Sequence, residues 1–498
     1  MVSDNFHGGN KPTAEEYFQM GIAQFSENDL GRDESKGLEY LHKAAELGHG
    51  LACYNLCRAY YIGIGVDADL EKAFDWLLKS AENGFVPGQH KLAQVYEDGK
   101  IFGKKDLAES FRWYARAAER GLAAANLRVG EMYFDGIGVE KNHDKAAHHI
   151  QKAAEKGDKL AKFRLGTLLF FGLGTPENKD QAVSLWQNAA DEGLLMAQIC
   201  VGDLYKAGEW VTQDDALAIK YWFMAAAQGA PESQFNLGSA YYNGDGVERN
   251  LILAAEYWRK AADQGYPKAQ ARLGVAYQNG LGVERDLGLA VIYWRKAAEQ
   301  GDALAQSELG LAYQKGEGVS QDYAQAFKYY HLAADQGEVC AQNSLANCYF
   351  LGLGCEIDQA QAAKYWLLAA NQGFVHSMAR VGDCHYAGKG VKRDVGEAIR
   401  WWSQAGDLGN VESLSCLAAV YCAGEFVKQD MAKAVNYWRK AAALGDPDSQ
   451  FYVGMASYTG EGAKRDLAEA KKWFSMAASH GHEEAKEKLA EMNQNPKP

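Results

Sequence analysis

The chain has 498 residues, of which 23% are charged, and its formal net charge is −13 at pH 7. This acidic balance disfavours bulk binding to nucleic acid or to an anionic membrane. No apolar run approaches the roughly 20 residues that a membrane span needs. The start, MVSDNFHGGN, has no apolar h-region, and the nine cysteines do not recur at a fixed spacing. We therefore expect a cytoplasmic protein with reduced cysteines, no nucleic-acid partner and no membrane insertion.

The first 48 residues predict a flexible tail at 1–12 and a degenerate capping repeat at 13–48. Glu16 stands where the later repeats carry a small residue, and the loop of this repeat lacks a glycine that the others have. One face of a terminal repeat meets water, so such departures are typical of a cap.

Residues 49–481 contain twelve full repeats, each of which ends in a glycine. Every step between these glycines is 36 residues, except the 37 residues from Gly84 to Gly121. With the glycine that closes the capping repeat, they are Gly48, Gly84, Gly121, Gly157, Gly193, Gly229, Gly265, Gly301, Gly337, Gly373, Gly409, Gly445 and Gly481. A period this constant predicts a solenoid of stacked helix pairs.

The first helix of each pair, helix A, follows the closing glycine of the preceding repeat, from which we number the positions. Position 4 is always small and position 8 is always Leu or Val, as in Ala269 and Leu273, so these residues mark one helical face. Position 15 is glycine in all twelve full repeats. Nine of them have a second glycine two residues later, as in Gly280 and Gly282. Such glycines supply the positive φ angles of a helix end and a tight loop.

The second helix, helix B, begins after an Asp or Asn that lies 15 residues before every closing glycine. These residues are Asp33, Asp69, Asp106, Asn142, Asn178, Asp214, Asn250, Asp286, Asp322, Asp358, Asp394, Asp430 and Asp466. A side-chain oxygen here can accept from a free backbone N–H, as an N-cap does. Because the same residue type recurs at one structural position, we interpret the carboxylates as caps rather than as catalytic groups.

Helix B carries an aromatic pair near its middle, such as Tyr293-Trp294, followed by two alanines and the closing glycine. Adjacent residues point about 100° apart on a helix, so we expect one ring to pack inside its own helix pair and the other against the next repeat. We interpret these rings as inter-repeat core rather than as a ligand cage.

The full pattern resembles the Sel-1-like repeat (SLR) family, a relative of the tetratricopeptide repeats with a longer loop. The residues of one repeat that match it are Ala269, Gln270, Leu273, Gly274, Tyr277, Gly280, Gly282, Val283, Asp286, Ala290, Tyr293, Trp294, Ala297, Ala298 and Gly301. The predicted fold is an all-α, α/α superhelical solenoid of about thirteen 36-residue helix-turn-helix repeats plus a C-terminal capping helix. The polar segment 482–493 is the predicted capping helix, and 494–498 is a tail.

A solenoid of this kind usually presents helix A on its concave side, where positions 3, 7 and 10 are free to vary. There the early repeats place a row of cations, Arg58, Lys91, Arg128 and Arg164. This basic ladder could receive acidic side chains or a C-terminal carboxylate of a partner. The alternative is a set of solvated residues with local ion pairs, for which Glu131 is a candidate partner. Later repeats place apolar residues at these positions, including Tyr452 and Met455.

Three loops replace the second glycine with a large residue, namely Ile101, Trp210 and Phe426. We expect these side chains to pack under the neighbouring helix. If they are exposed instead, Trp210 is the best single anchor for a partner.

No catalytic constellation or cofactor motif stands out in the sequence, and we expect no cofactor and no metal. The histidines His143, His148 and His149 have poor spacing for chelation from one helix. The sequence therefore predicts a monomeric, non-enzymatic scaffold or adaptor that binds proteins or peptides on its helix A face. The alternatives are a groove that binds glycans or small ligands and, more remotely, a hydrolase that acts on cell-wall-like substrates.

Overall fold

The computed structural model of the chain describes residues 11–26, 33–99 and 102–494. These residues form α-helices and loops without any β-strand. Residues 1–10 and 495–498 of the predicted tails, together with Ile101, lie outside the described residues. The chain divides into two compact units. Unit 1 comprises 1–237 with 245–247, and unit 2 comprises 238–244 with 248–498.

The helices of unit 1 alternate between helix A, with odd numbers, and helix B, with even numbers. They are α1 (Ala14–Ser26), α2 (Glu34–Glu46), α3 (Gly50–Ile62), α4 (Leu70–Glu82), α5 (Val86–Asp98), α6 (Leu107–Glu119), α7 (Ala123–Asp135), α8 (His143–Glu155), α9 (Lys159–Phe171), α10 (Lys179–Asp191), α11 (Leu195–Ala207) and α12 (Asp215–Ala227). Each helix from α1 to α11 contacts the one that follows it. Helix α13 (Pro231–Asn243) contributes residues to both units.

Unit 2 continues the same alternation. Its helices are α14 (Leu251–Asp263), α15 (Pro267–Asn279), α16 (Leu287–Glu299), α17 (Ala303–Lys315), α18 (Tyr323–Asp335), α19 (Val339–Leu351), α20 (Gln359–Asn371), α21 (Val375–Ala387), α22 (Val395–Asp407), α23 (Val411–Ala423), α24 (Met431–Ala443), α25 (Pro447–Thr459), α26 (Leu467–Ser479) and α27 (Glu483–Gln494). Each helix from α14 to α26 contacts the one that follows it. Helix α27 lies within one residue of the predicted capping helix, 482–493, at each end. Among the described residues, no helix has both the length and the apolar composition of a membrane span.

The predicted caps of helix B are confirmed in all thirteen repeats, because the Asp or Asn before each even-numbered helix accepts a hydrogen bond from that helix. Asp286 is representative: its Oδ1 accepts from the backbone N–H of Leu289 at 2.9 Å. The free N–H groups at each helix start are therefore satisfied locally.

The second loop glycine is needed for a close contact between two backbone segments as well as for the tight turn. Gly282 has a φ of +71°, and a Cβ built on it would lie 1.9 Å from the carbonyl oxygen of Leu251, the first residue of α14. The loop of one repeat thus lies directly on the start of helix B in the repeat before, and only glycine fits between them.

In five repeats the core contains an indole of helix B that lies against a glycine of helix A. In α16, Trp294 is almost fully buried, and a Cβ on Gly274 would come within 2.4 Å of its Nε1. The neighbouring Tyr293 stacks on Tyr277 of the same repeat, with ring centroids 5.7 Å apart. Both rings therefore contact helix A of their own repeat. The predicted contact of one ring with the next repeat is confirmed for Trp438 of α24, which stacks on Tyr452 of α25 with ring centroids 4.9 Å apart.

A row of buried carboxamides ties successive repeats together. Position 5 is a buried Gln or Asn in eight repeats, and each donates to a carbonyl eight residues earlier. Gln306 donates to the carbonyl of Ala298, at the end of α16, and accepts from Gln336, which follows α18, at 2.8 Å. The buried amide is thus paired on both sides, which is how a polar group is tolerated in a core.

Candidate functional site

The predicted basic ladder lies in unit 1, where some of its cations form ion pairs and others do not. Arg128 lies between two carboxylates. Its guanidinium donates to Glu97, and to Glu131 at 2.9 Å. Glu97 also accepts from the hydroxyl of Tyr114 at 2.9 Å. Burial and this hydrogen bond raise the pKa of Tyr114, so its hydroxyl stays protonated and remains a donor. The charge of Arg128 is therefore compensated inside the protein.

The other members of the ladder are more available. Arg164 is about half exposed and lies 3.6 Å from Glu131, so the predicted pairing of Glu131 with the ladder is confirmed for two arginines. Arg58 is exposed and Lys91 is half-buried. Neither has an acidic partner within 4.0 Å among the described residues. Arg58 and Lys91 are the cations of this row that a ligand could reach without breaking an ion pair.

The two described loop aromatics are packed on one side and open on the other. Trp210 is 49% exposed, with an edge-on contact to Phe170 at 5.6 Å and the ammonium of Lys179 at 3.6 Å over its ring. Phe426 is 45% exposed and has the guanidinium of Arg393 at 4.3 Å from its ring centroid. Sequence reasoning treated packing and exposure as alternatives, whereas each ring shows both.

Unit 2 contains a row of cavities on the helix A side, each with one indole of helix B in its wall. We name them after these indoles. The Trp438 cavity has a volume of about 600 Å³, the Trp402 cavity about 380 Å³, the Trp366 cavity about 540 Å³ and the Trp258 cavity about 150 Å³. The three larger cavities have volumes in the range of ligand-binding clefts.

The cavities exist because helix A carries small residues where other repeats carry large ones. Ala419 and Ala423 of α23 line both the Trp438 and the Trp402 cavities. Ala387 of α21 lines both the Trp402 and the Trp366 cavities. The three cavities therefore adjoin one another, with shared wall residues, along α19, α21, α23 and α25.

The walls of the Trp438 cavity are apolar in the middle and acidic at the ends. Tyr452 is 47% exposed and stacks on Trp438 at 4.9 Å, and Met431 and Met455 line the same space. The charged residues that line the Trp438 and Trp402 cavities are Asp383, Glu425, Asp446, Asp448 and Glu461. Every one of them is acidic, in contrast to the basic ladder of unit 1.

Asp383 belongs to the frame of the Trp402 cavity. Its carboxylate accepts from the indole N–H of Trp402 and from Arg380, each at 3.1 Å. Burial raises the pKa of this carboxyl, and those two hydrogen bonds partly offset the rise. Burial also raises the pKa of the Cys416 thiol to about 11, so this cavity residue is an unreactive, protonated thiol at neutral pH.

The described residues contain no group of three His, Cys, Asp or Glu side chains that could hold a metal ion. His149 stacks on Tyr133, and its Nδ1 lies 3.1 Å from Oδ1 of Asn126. Burial and the nearby cations lower the pKa of His149 to about 4. It therefore occupies the place of the stacked tyrosine in other repeats and is neutral at pH 7.

Sequence reasoning identified Tyr452 and Met455 as apolar residues on helix A but not the acidic residues around them. A signal for the acidic residues existed in the repeat numbering. Glu425 and Glu461 both occupy position 16, directly after the glycine that ends helix A, in consecutive repeats.

Comparison with known proteins identifies the repeat family. Thirteen stretches match the family model described as the Sel1 repeat, at residues 14–49, 50–85, 86–122, 123–158, 159–194, 195–229, 231–266, 267–302, 303–338, 341–374, 375–410, 415–446 and 447–482. The chain is also similar to the chitin synthase regulator SKT5 of Saccharomyces cerevisiae, with 32% identity over 81 residues. That match covers 16% of this chain and only 12% of the relative.

Two crystal structures are similar along most of the chain. One is a protective antigen of uropathogenic Escherichia coli strains that displays an SLR fold. It is 31% identical, with a TM-score of 0.75, and the match covers 84% of this chain and 90% of that one. The other is a Sel1 repeat protein from Oxalobacter formigenes, at 26% identity and a TM-score of 0.47, covering 76% and 95% of the two chains. The thirteen matched repeats and the 31% identical structure show that this chain belongs to the Sel1 repeat family.

Proposed function

We propose that this protein is a non-catalytic scaffold or adaptor that binds partner proteins or peptides on its helix A face. Sel1 repeats generally mediate protein–protein interactions. The observation that carries the proposal is the row of adjoining cavities in unit 2, lined mainly by odd-numbered helices. A concave apolar surface with a few charged groups at its edge is what a partner segment needs in order to bury area and fix its register.

The basic ladder supports a second contact region on the same kind of helix. Arg58 and Lys91 occupy positions 10 and 7 of helix A, and position 7 also supplies Cys416 and Tyr452 to the cavities of unit 2. Position 7 thus carries a cation in three repeats of unit 1 and an apolar or aromatic side chain in the last two full repeats of unit 2. An acidic segment of a partner could pair with Arg58 and Lys91. The other ladder residues, Arg128 and Arg164, contribute less to such binding because Glu131 lies close to both.

A glycan or small-ligand groove is the second candidate, because Tyr452 presents an open aromatic face above Trp438. Sugar-binding platforms of this kind need exposed rings. Nine of the twelve tryptophans are buried, and their indoles serve the cores of the helix pairs. This distribution favours protein binding, in which aromatic groups at a few anchor points suffice.

Site-directed photo-crosslinking in the cell that makes the protein tests the proposal. A benzoylphenylalanine replaces Met196 or Tyr452 on helix A, or Phe223 or Ile292 on helix B, four side chains that are each about half exposed. We expect specific protein adducts from the helix A positions and not from the helix B positions. Adducts from helix B alone, or none from any position, would refute the helix A face as the binding surface.

A further inference from the structure

The adjoining Trp438 and Trp402 cavities, which we call the C-terminal groove, have a distinctive arrangement of charge. The floor is apolar and includes Met455, Trp438 and Trp402. Two edges carry carboxylates. Asp448, at position 3 of helix A, lies at one edge, and Glu425 and Glu461, at position 16, lie at the other.

The carboxylates at the position 16 edge are open to a ligand. Glu425 and Glu461 are exposed and have no cationic partner within 4.0 Å among the described residues. At the other edge, Asp448 has only His482, at 3.6 Å. Glu412, the equivalent of Asp448 in the preceding repeat, has only a long contact of 3.8 Å to Arg380. Charges held this loosely are screened by water and cost little to re-pair with a partner.

The width of the groove selects the shape of its occupant. Asp448 and Glu461 are 13 positions apart along α25 and the residues that follow it, which at 1.5 Å per residue is about 20 Å. Successive side chains of an extended strand point to opposite faces, so a strand lying on the floor directs them into the floor and away from it rather than toward the two acidic edges. A helix with its side chains is about 10–12 Å in diameter. It leaves about 4 Å on each side, a gap that lysine or arginine side chains on its flanks can bridge.

We infer that the C-terminal groove binds a cationic amphipathic helix of a partner protein. The helix lays its apolar stripe on the floor and pairs flanking lysine or arginine side chains with the carboxylates of Glu425, Glu461 and Asp448. Methionines in the floor suit this role because their flexible side chains adapt to an apolar helix face. The exposed ring of Tyr452, four residues from Asp448 on the same face of α25, offers a cation–π contact at that edge. The inference rests on the proposed function and adds the chemistry of the partner.

Fluorescence anisotropy with two designed 14-residue peptides tests the inference on the full chain. Both peptides carry the same leucine stripe at helical spacing, flanked by lysine in one and by glutamate in the other. The double variant Glu425→Lys/Glu461→Lys removes the open carboxylates. The matched control, Glu209→Lys/Glu317→Lys, makes the same change at position 16 of two repeats outside the groove.

We expect the lysine peptide to bind the native chain at least tenfold more tightly than the glutamate peptide. We also expect the groove variant to weaken its binding about tenfold or more, and the control variant less than twofold. Absence of binding by the lysine peptide, equal binding of the two peptides, or equal loss in the two variants would overturn the inference. Helix A crosslinks that persist after such a result would leave the proposed function standing, whereas loss of those crosslinks would remove both.

Discussion

Gly282→Ala tests whether the long loop of this repeat is fixed by the close approach of two backbones. Adding a Cβ at this site has two costs. A left-handed φ of +71° costs a residue other than glycine about 1–2 kcal/mol. In addition, the Cβ would lie 1.9 Å from the carbonyl oxygen of Leu251, although real Cβ atoms essentially never come within 3.0 Å, so the backbones must separate by 3.0 − 1.9 = 1.1 Å. A forced shift of this kind in a packed region costs about 1–3 kcal/mol, which gives about 2–5 kcal/mol in total.

Gly265→Ala, at the glycine that closes the preceding repeat, is the matched control. Its φ is +87°, but a Cβ there would meet nothing within 4 Å, so only the first cost of about 1–2 kcal/mol applies. Because repeat arrays can unfold in parts, urea denaturation is best combined with hydrogen exchange of peptides that cover α14. We expect Gly282→Ala to lose more stability and to speed exchange at the start of α14. Equal losses in the two variants would refute the argument from backbone approach.

Three further changes test the caps, the stacked histidine and the carboxamide row. Asp286→Ala removes an N-cap and should lower the free energy of unfolding by about 1 kcal/mol in urea denaturation; no change would contradict the capping role. His149→Tyr tests a pH effect. The folded pKa of about 4 lies below the usual 6.5, so the unfolded chain binds the proton first and native stability falls as the pH drops from about 6.5 to 4. The variant should lose this part of the acid sensitivity in unfolding curves measured across that range, and an unchanged pH profile would count against the neutral histidine. Gln306→Leu leaves the carbonyl of Ala298 without its side-chain donor and should cost about 1–3 kcal/mol of unfolding free energy, whereas a stability equal to the native chain would mean that the hydrogen bond contributes nothing.

The local rules of the repeat could be predicted because each acts within a few residues and recurs many times. The capping role of Asp286 depends only on the helix that follows it, and thirteen copies made the interpretation secure. The positive φ of Gly282 was predicted for the same reason. Its second requirement, the approach to Leu251, was not predicted, because the two residues are 31 positions apart and meet only after the repeats stack.

The candidate site was predicted less completely, since it depends on which side chains meet across repeats. The ladder residue Arg128 was identified from its position, but its partner Glu97 lies in the preceding repeat near the end of α5. The cavities of unit 2 arise where helix A carries small side chains. Alanines at 387, 419 and 423 leave space between the indoles. A repeat pattern shows which residue type occupies each position, but it does not show how much volume small residues leave empty after the helices pack.

The most direct test of the central claim is a comparison of hydrogen exchange in the free chain and in its complex with a partner identified by crosslinking. Because helix A and helix B alternate, the odd-numbered and even-numbered helices provide the test and its internal control in one experiment. The account predicts slower exchange in the odd-numbered helices, with α21, α23 and α25 among them, and little change at the starts of the even-numbered helices. Protection concentrated in the even-numbered helices would contradict binding on the helix A face.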